Sequence, residues 1–142
     1  MVNRWLLVAA LVALLATLLH IFTFERWIWH NLGYECFPVT PFGEPKVARG
    51  YYRIVWHSFT VFLLVTIVVC TLVGVGTLVP YGMLLIYFLL FFWILILVEI
   101  LFVAAMLWEP GDSYVKSLLR SFQWVFVLLI IIFMYLGTTY QV

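Results

Sequence analysis

The sequence predicts an all-α membrane protein: a four-transmembrane-helix bundle with an aromatic, Pro-containing loop between helices one and two. Three observations predict it. Of 142 residues, 68% are apolar and only 9% charged, whereas about a quarter of a soluble domain is charged. Mean hydropathy is +1.22. The uncharged runs are also long enough for the roughly 20 residues that a helix needs to cross about 30 Å of hydrocarbon. Residues 1–142 therefore read as a single membrane domain, and the hydrophilic stretch is too short for a separate catalytic one.

The first helix is expected at 5–24, the uncharged run from Trp5 to Phe24. Met1-Val2-Asn3-Arg4 before an apolar stretch resembles a signal-peptide start, but no small-residue cleavage site breaks the run, so it is kept as a helix. The uncharged run from Ile54 to Val98 is long enough for two spans and must fold back on itself. Gly74, Gly76, Pro80 and Gly82 cluster near its middle, where helix-breaking residues place a turn. Helices two and three are thus expected at 51–74 and 81–108. The break at Trp108-Glu109-Pro110-Gly111-Asp112 leads into helix four, 113–138, capped by Asp112 or Ser113. Its Ser113, Ser117 and Ser121 form a small-residue face that lets another helix approach closely.

Six of the seven Lys and Arg residues (Arg26, Lys46, Arg49, Arg53, Lys116, Arg120) fall between helices one and two or three and four, and only Arg4 falls on the other side. The positive-inside bias then predicts a multi-pass protein with both termini non-cytoplasmic. Net charge is +1, which supplies no basic surface for nucleic acid. Cys36 and Cys70 are too few and too isolated for a disulfide framework and read as free thiols.

The surface loop, 25–50, and the start of helix two carry three prolines and the rings of Trp27, Trp29, Tyr34, Phe37, Phe42, Tyr51 and Tyr52. Flexible linkers have a different composition, and amphipathic rings settle at headgroup depth. Arg26-Trp27-Ile28-Trp29-His30 can prolong helix one as an interfacial turn, and Thr40-Pro41-Phe42-Gly43 reads as a reverse turn. Arg26, Trp27, Trp29, Lys46, Arg49 and Arg53 are the expected contacts to a partner or to lipid headgroups, while Glu25 beside Arg26 reads as an ordinary interfacial pair.

Polar groups inside the spans are few, and such groups usually face a bundle interior or a pathway. Thr17 and His20 in helix one, His57 and Thr60 in helix two, Glu99 in helix three and Gln123 in helix four all fall in the half of the membrane nearer the charged loops. Arg53, His57 and Thr60 share a face of helix two that Leu64, Ile67, Thr71 and Gly74 continue. The set can serve as a hydrogen-bonded register device, with Glu99 paired to His57, Arg53 or a neighbouring subunit. Alternatively, His20 and His57, at matched depth, can ligate a non-covalent haem or a metal, or Glu99 and the histidines can carry protons. Lipid headgroups or a bound pigment are further occupants; no cofactor is required by the sequence.

No HExxH, GxSxG, P-loop, GxGxxG or Asp-rich transferase pattern occurs. The outline, four spans with outward termini and a polar first loop, is similar to the MAPEG family of glutathione-using membrane enzymes. The similarity stops at topology, because Arg53-Ile54-Val55-Trp56-His57-Ser58-Phe59-Thr60 lacks that family's Arg, Asn and Glu pattern, and no residue is carried over. The expected function is a non-catalytic integral membrane subunit packed within a larger membrane complex, its partners being the bilayer and other membrane subunits. The alternatives are a small redox or metal-binding subunit using His20 and His57, and an oligomeric transporter with Glu99 on its pathway.

Overall fold

A computed structural model describes residues 2–39, 41, 43–77, 81–106, 115 and 123–140. Its regular elements are all helical: α1 (Arg4–Thr23), a π-helical turn (Phe24–Ile28), a short α2 (Trp29–Asn31), a 3-10 turn (Tyr34–Cys36), α3 (Pro45–Gly74), α4 (Gly82–Met106) and α5 (Gln123–Thr139). Three stretches, Arg4–Asn31, Pro45–Gly74 and Gly82–Ala105, are long and apolar enough to cross a membrane, and Gln123–Thr139 is a shorter apolar helix. Ser113, Ser117 and Ser121, with the predicted start of helix four, lie outside the described residues.

Helix one runs on to Asn31 as the aromatic turn suggested. Helix two begins six residues earlier than 51, at Pro45. Proline disrupts a helix interior but is well suited to its first position, where its missing N–H would have no partner and its fixed φ is already helical. At the other end, α3 closes on Gly76 in the left-handed region, φ 81°. The Gly76 amide donates to Val73 O at 3.0 Å and the Thr77 amide to Leu72 O at 2.9 Å, the double bond of a Schellman cap.

The chain divides into two compact units, Met1–Ala13 with Thr66–Val142, and Leu14–Val65. In the first, Asn3 ties three helices together. Its side-chain oxygen accepts from the Leu6 amide at 3.3 Å, capping α1, and its Nδ2 donates to Gly137 O at 2.7 Å; its own amide donates to Gly74 O at 2.7 Å. The glycines are what permit the approach: a Cβ on Gly137 would stand 2.6 Å from Leu6 Cδ2, and one on Gly74 2.9 Å from Leu7 Cδ2. Trp5 stacks on Phe133, and α4 packs along α5. Deeper in, the indole of fully buried Trp93 donates to fully buried Thr66 at 3.1 Å.

The buried line of α3 is Thr60, Leu63, Thr66, Cys70, Val73 and Gly74. This departs from the expected polar stripe, since Leu64 and Thr71 are exposed. A threonine hydroxyl can bond its own helix's carbonyl, so threonine does not mark the inward face of a membrane helix. Cys70 is buried, Cys36 is exposed, and both are free thiols.

Candidate functional site

The second unit, Leu14–Val65, is built on rings. Phe24 is fully buried; its ring stacks on Trp56 at 4.6 Å and meets Trp29, Tyr52 and His57 at 5.5 to 6.1 Å. The imidazole of His20 also lies parallel to Trp56, 4.6 Å away, with its Nε2 at 3.3 Å from Trp56 O. Phe59 tilts against the same imidazole. Offset stacks of this kind add to area burial, so α1 and α3 are joined here by aromatic contact.

Above the rings lies a set of charges. Glu25 accepts from Arg53 Nη2 at 3.0 and 3.1 Å and lies 3.1 Å from His57 Nε2. The carboxylate was expected to pair beside Arg26 as an ordinary interfacial charge. It belongs instead to α3, because Arg53 and His57, four residues apart, present both their donors on one face. Arg49 lies between two rings, its guanidinium carbon 4.2 Å from the centre of Trp29 and 4.8 Å from that of Tyr34, and its Nη2 donates to Trp29 O at 3.2 Å. Arg53 covers Trp29 as well, at 4.8 Å.

This arrangement fastens the loop down through cations held on aromatic faces. Arg49→Ala removes two ring contacts and a charged hydrogen bond, together about 2 kcal/mol, or roughly thirtyfold in the local opening equilibrium. Amide hydrogen exchange at residues 32–37 is expected to accelerate by that factor. Arg49→Lys, which keeps the charge without the planar fork, should recover only part of it. Unchanged exchange in Arg49→Ala would show that something other than this clamp orders the loop.

Of the residues singled out from the sequence, Trp29, Arg49 and Arg53 are brought together, and Arg26, Trp27 and Lys46 are exposed. His20 and His57 flank the Phe24–Trp56 stack. Each Nε2 already has a protein partner, Trp56 O for one and Glu25 for the other, so coordinating a shared metal through these atoms would require breaking both contacts. Thr17 and Thr60 are buried, and Thr60 Oγ1 has no partner among the described residues. Among the described residues no three His, Cys, Asp or Glu side chains group as metal ligands.

Glu99 and Gln123 are exposed on α4 and α5. Glu99 forms no hydrogen bond or ion pair among the described residues, and it lies seven residues from Met106, about 10 Å along the axis. It falls in an exposed line, Phe88, Phe92, Leu95, Glu99 and Phe102, whose steps of four, three, four and three are those of a helix–helix seam. The buried line of the same helix, Ile86, Leu89, Trp93 and Ala104, follows a separate track.

Glu25, Phe24, Trp56 and the Thr66–Trp93 pair were not singled out from the sequence. A signal existed for the last: Thr66 is eight residues from Gly74 and Trp93 eleven from Gly82, so the two polar groups lie at similar depths from the turn that joins their helices. Together these features define an all-helical chain with three helices long enough to span a membrane, consistent with an integral membrane protein. No protein-family profile, curated protein or solved structure matches the chain.

Proposed function

We propose that the chain is a non-catalytic integral membrane subunit with four spans, which packs through α4 against a helix of another membrane subunit. The observation that carries this reading is Glu99, exposed and without a partner among the described residues, within a seam-spaced line of Phe and Leu. A carboxyl group facing hydrocarbon costs a few kcal/mol, and a donor on a neighbouring helix removes that cost. The flanking rings, with Phe88 and Phe92 edge to face at 4.8 Å, give such a helix a shaped surface, and close packing is what joins helices in lipid. The Lys and Arg distribution supports a cytoplasmic position for the loop end and non-cytoplasmic termini.

The test is native mass spectrometry of gently extracted protein. The wild-type chain is expected to carry at least one other membrane subunit. Glu99→Gln retains hydrogen bonding and should keep that subunit; Glu99→Leu should weaken the association by about 1 kcal/mol, roughly fivefold. If Glu99→Leu keeps the subunit as well as the wild type does, or if the wild-type chain is extracted alone, α4 is not the packing surface.

A further inference from the structure

Beside Glu25 the surface opens into a pocket of about 330 Å³ lined by Glu25, Arg26 and His30. That volume is at the lower end of the range for small-ligand sites, about 300–1,000 Å³. The carboxylate in the pocket is already engaged by Arg53 and His57 at 3.0 to 3.1 Å. Arg26 and His30 are both exposed and form no hydrogen bond or ion pair among the described residues. The pocket therefore presents an unused guanidinium fork and an imidazole beside a carboxylate whose charge is offset. Such an arrangement suits an anion with several acceptor oxygens.

Depth and shape narrow the class of anion. Arg26 is 22 residues along a continuous helix from Arg4, about 33 Å at 1.5 Å per residue, close to the thickness of the hydrocarbon layer. A guanidinium there lies at headgroup level. The π-helical turn Phe24–Ile28 widens the helix by one residue and sets Trp27 against Phe22, five positions earlier, edge to face at 6.0 Å. Both rings are exposed, 61% and 55%, and they offer an apolar shelf on the same helix, Trp27 next to Arg26 in the chain and Phe22 four residues before it. Single π turns recur at functional sites.

We infer that this pocket seats the phosphate diester of an anionic phospholipid, with Arg26 directing paired donors to the phosphate oxygens, His30 adding a third contact, and an acyl chain lying on Phe22 and Trp27. A soluble phosphate shares the anion chemistry but has nothing to place on the rings. The site is independent of the α4 seam.

The test uses the full chain in nanodiscs of phosphatidylcholine containing a minor fraction of phosphatidylglycerol, with retained lipid counted by native mass spectrometry. Wild-type protein should retain phosphatidylglycerol in preference to phosphatidylcholine. Arg26→Gln should lower that retention about tenfold, as expected for loss of a charged donor. Arg26→Lys should keep more than Arg26→Gln does, an ordering that misfolding would not produce, and Arg4→Gln at the far end of α1 should change nothing. Soluble glycerophosphate at millimolar concentration should not displace the lipid. Displacement would overturn the lipid assignment. Equal retention in Arg26→Gln and wild type, or an equal loss in Arg4→Gln, would overturn the site. Loss of the partner subunit in Glu99→Leu would leave all of these outcomes unaffected.

Discussion

Trp93→Ala is expected to lower stability by roughly 2–3 kcal/mol, the largest effect of any single truncation in the described core. In water much of such a loss is transfer free energy, but lipid tails are as apolar as the core, and that part vanishes for a spanning helix. What remains is the void. Trp93 and its neighbours Ile86 and Thr66 are all fully buried, so α4 cannot slide to fill the gap cheaply, and a cavity on the order of 100 Å³ costs about 24 cal/mol per Å³. The lost indole hydrogen bond to Thr66 adds about 0.6 kcal/mol. Trp93→Phe, which keeps most of the volume, separates the two contributions and should cost well under half as much. Equilibrium unfolding in mixed micelles measures both variants. A double-mutant cycle with Thr66→Val should return a coupling of about 0.6 kcal/mol; a coupling of zero would mean that the hydrogen bond adds nothing to the packing.

The contrast between Trp93 and Glu99 shows what the sequence made legible. The three long apolar helices, the shorter one and the turn around Gly76 followed from hydropathy and from residues that end helices, because helix length and backbone geometry act on every sequence alike. The inward face of α4 did not follow. All but one of the side chains from Leu84 to Ala105 are uncharged and nearly all are apolar, so periodicity carries no signal there, and packing alone separates the Ile86–Trp93 track from the Phe88–Phe92 one. The loop was partly legible. Its aromatic composition indicated order, whereas the placing of Arg49 between Trp29 and Tyr34 depends on the chain folding back from residue 34 to residue 49, which no local pattern encodes. Asn3 could have been read: an Asn two residues before the apolar run that opens at Trp5 is an N-cap candidate. Its second role, holding Gly74 and Gly137 through backbone oxygens, depends on two remote helix ends meeting at one place.

A reporter active only in the cytoplasm is expected to work fully when inserted near Gly43 and to fail when fused after Val142, an effect that is close to all or none. The loop end carries Arg26, Lys46, Arg49 and Arg53, while Arg4 alone stands at the other end of α1, and this asymmetry in short segments sets orientation during insertion. Pairing does not cancel it. Arg49 is held on rings, and among the described residues only Arg53 of these has an acidic partner, Glu25; acidic residues contribute little to the rule. Gly43 is a suitable insertion point because it lies between the 3-10 turn and α3 with φ at 146°, outside any helix. The reverse pattern, activity after Val142 and none at Gly43, would invert the protein and place the Arg26 pocket in the outer leaflet. Activity at both points, or at neither, would mean that an even number of helices crosses between residue 43 and the C-terminus. In that case one of α3, α4 and α5 fails to span, and α5, whose described length of 17 residues covers about 26 Å against about 30 Å of hydrocarbon, is the helix that would lie at the interface instead.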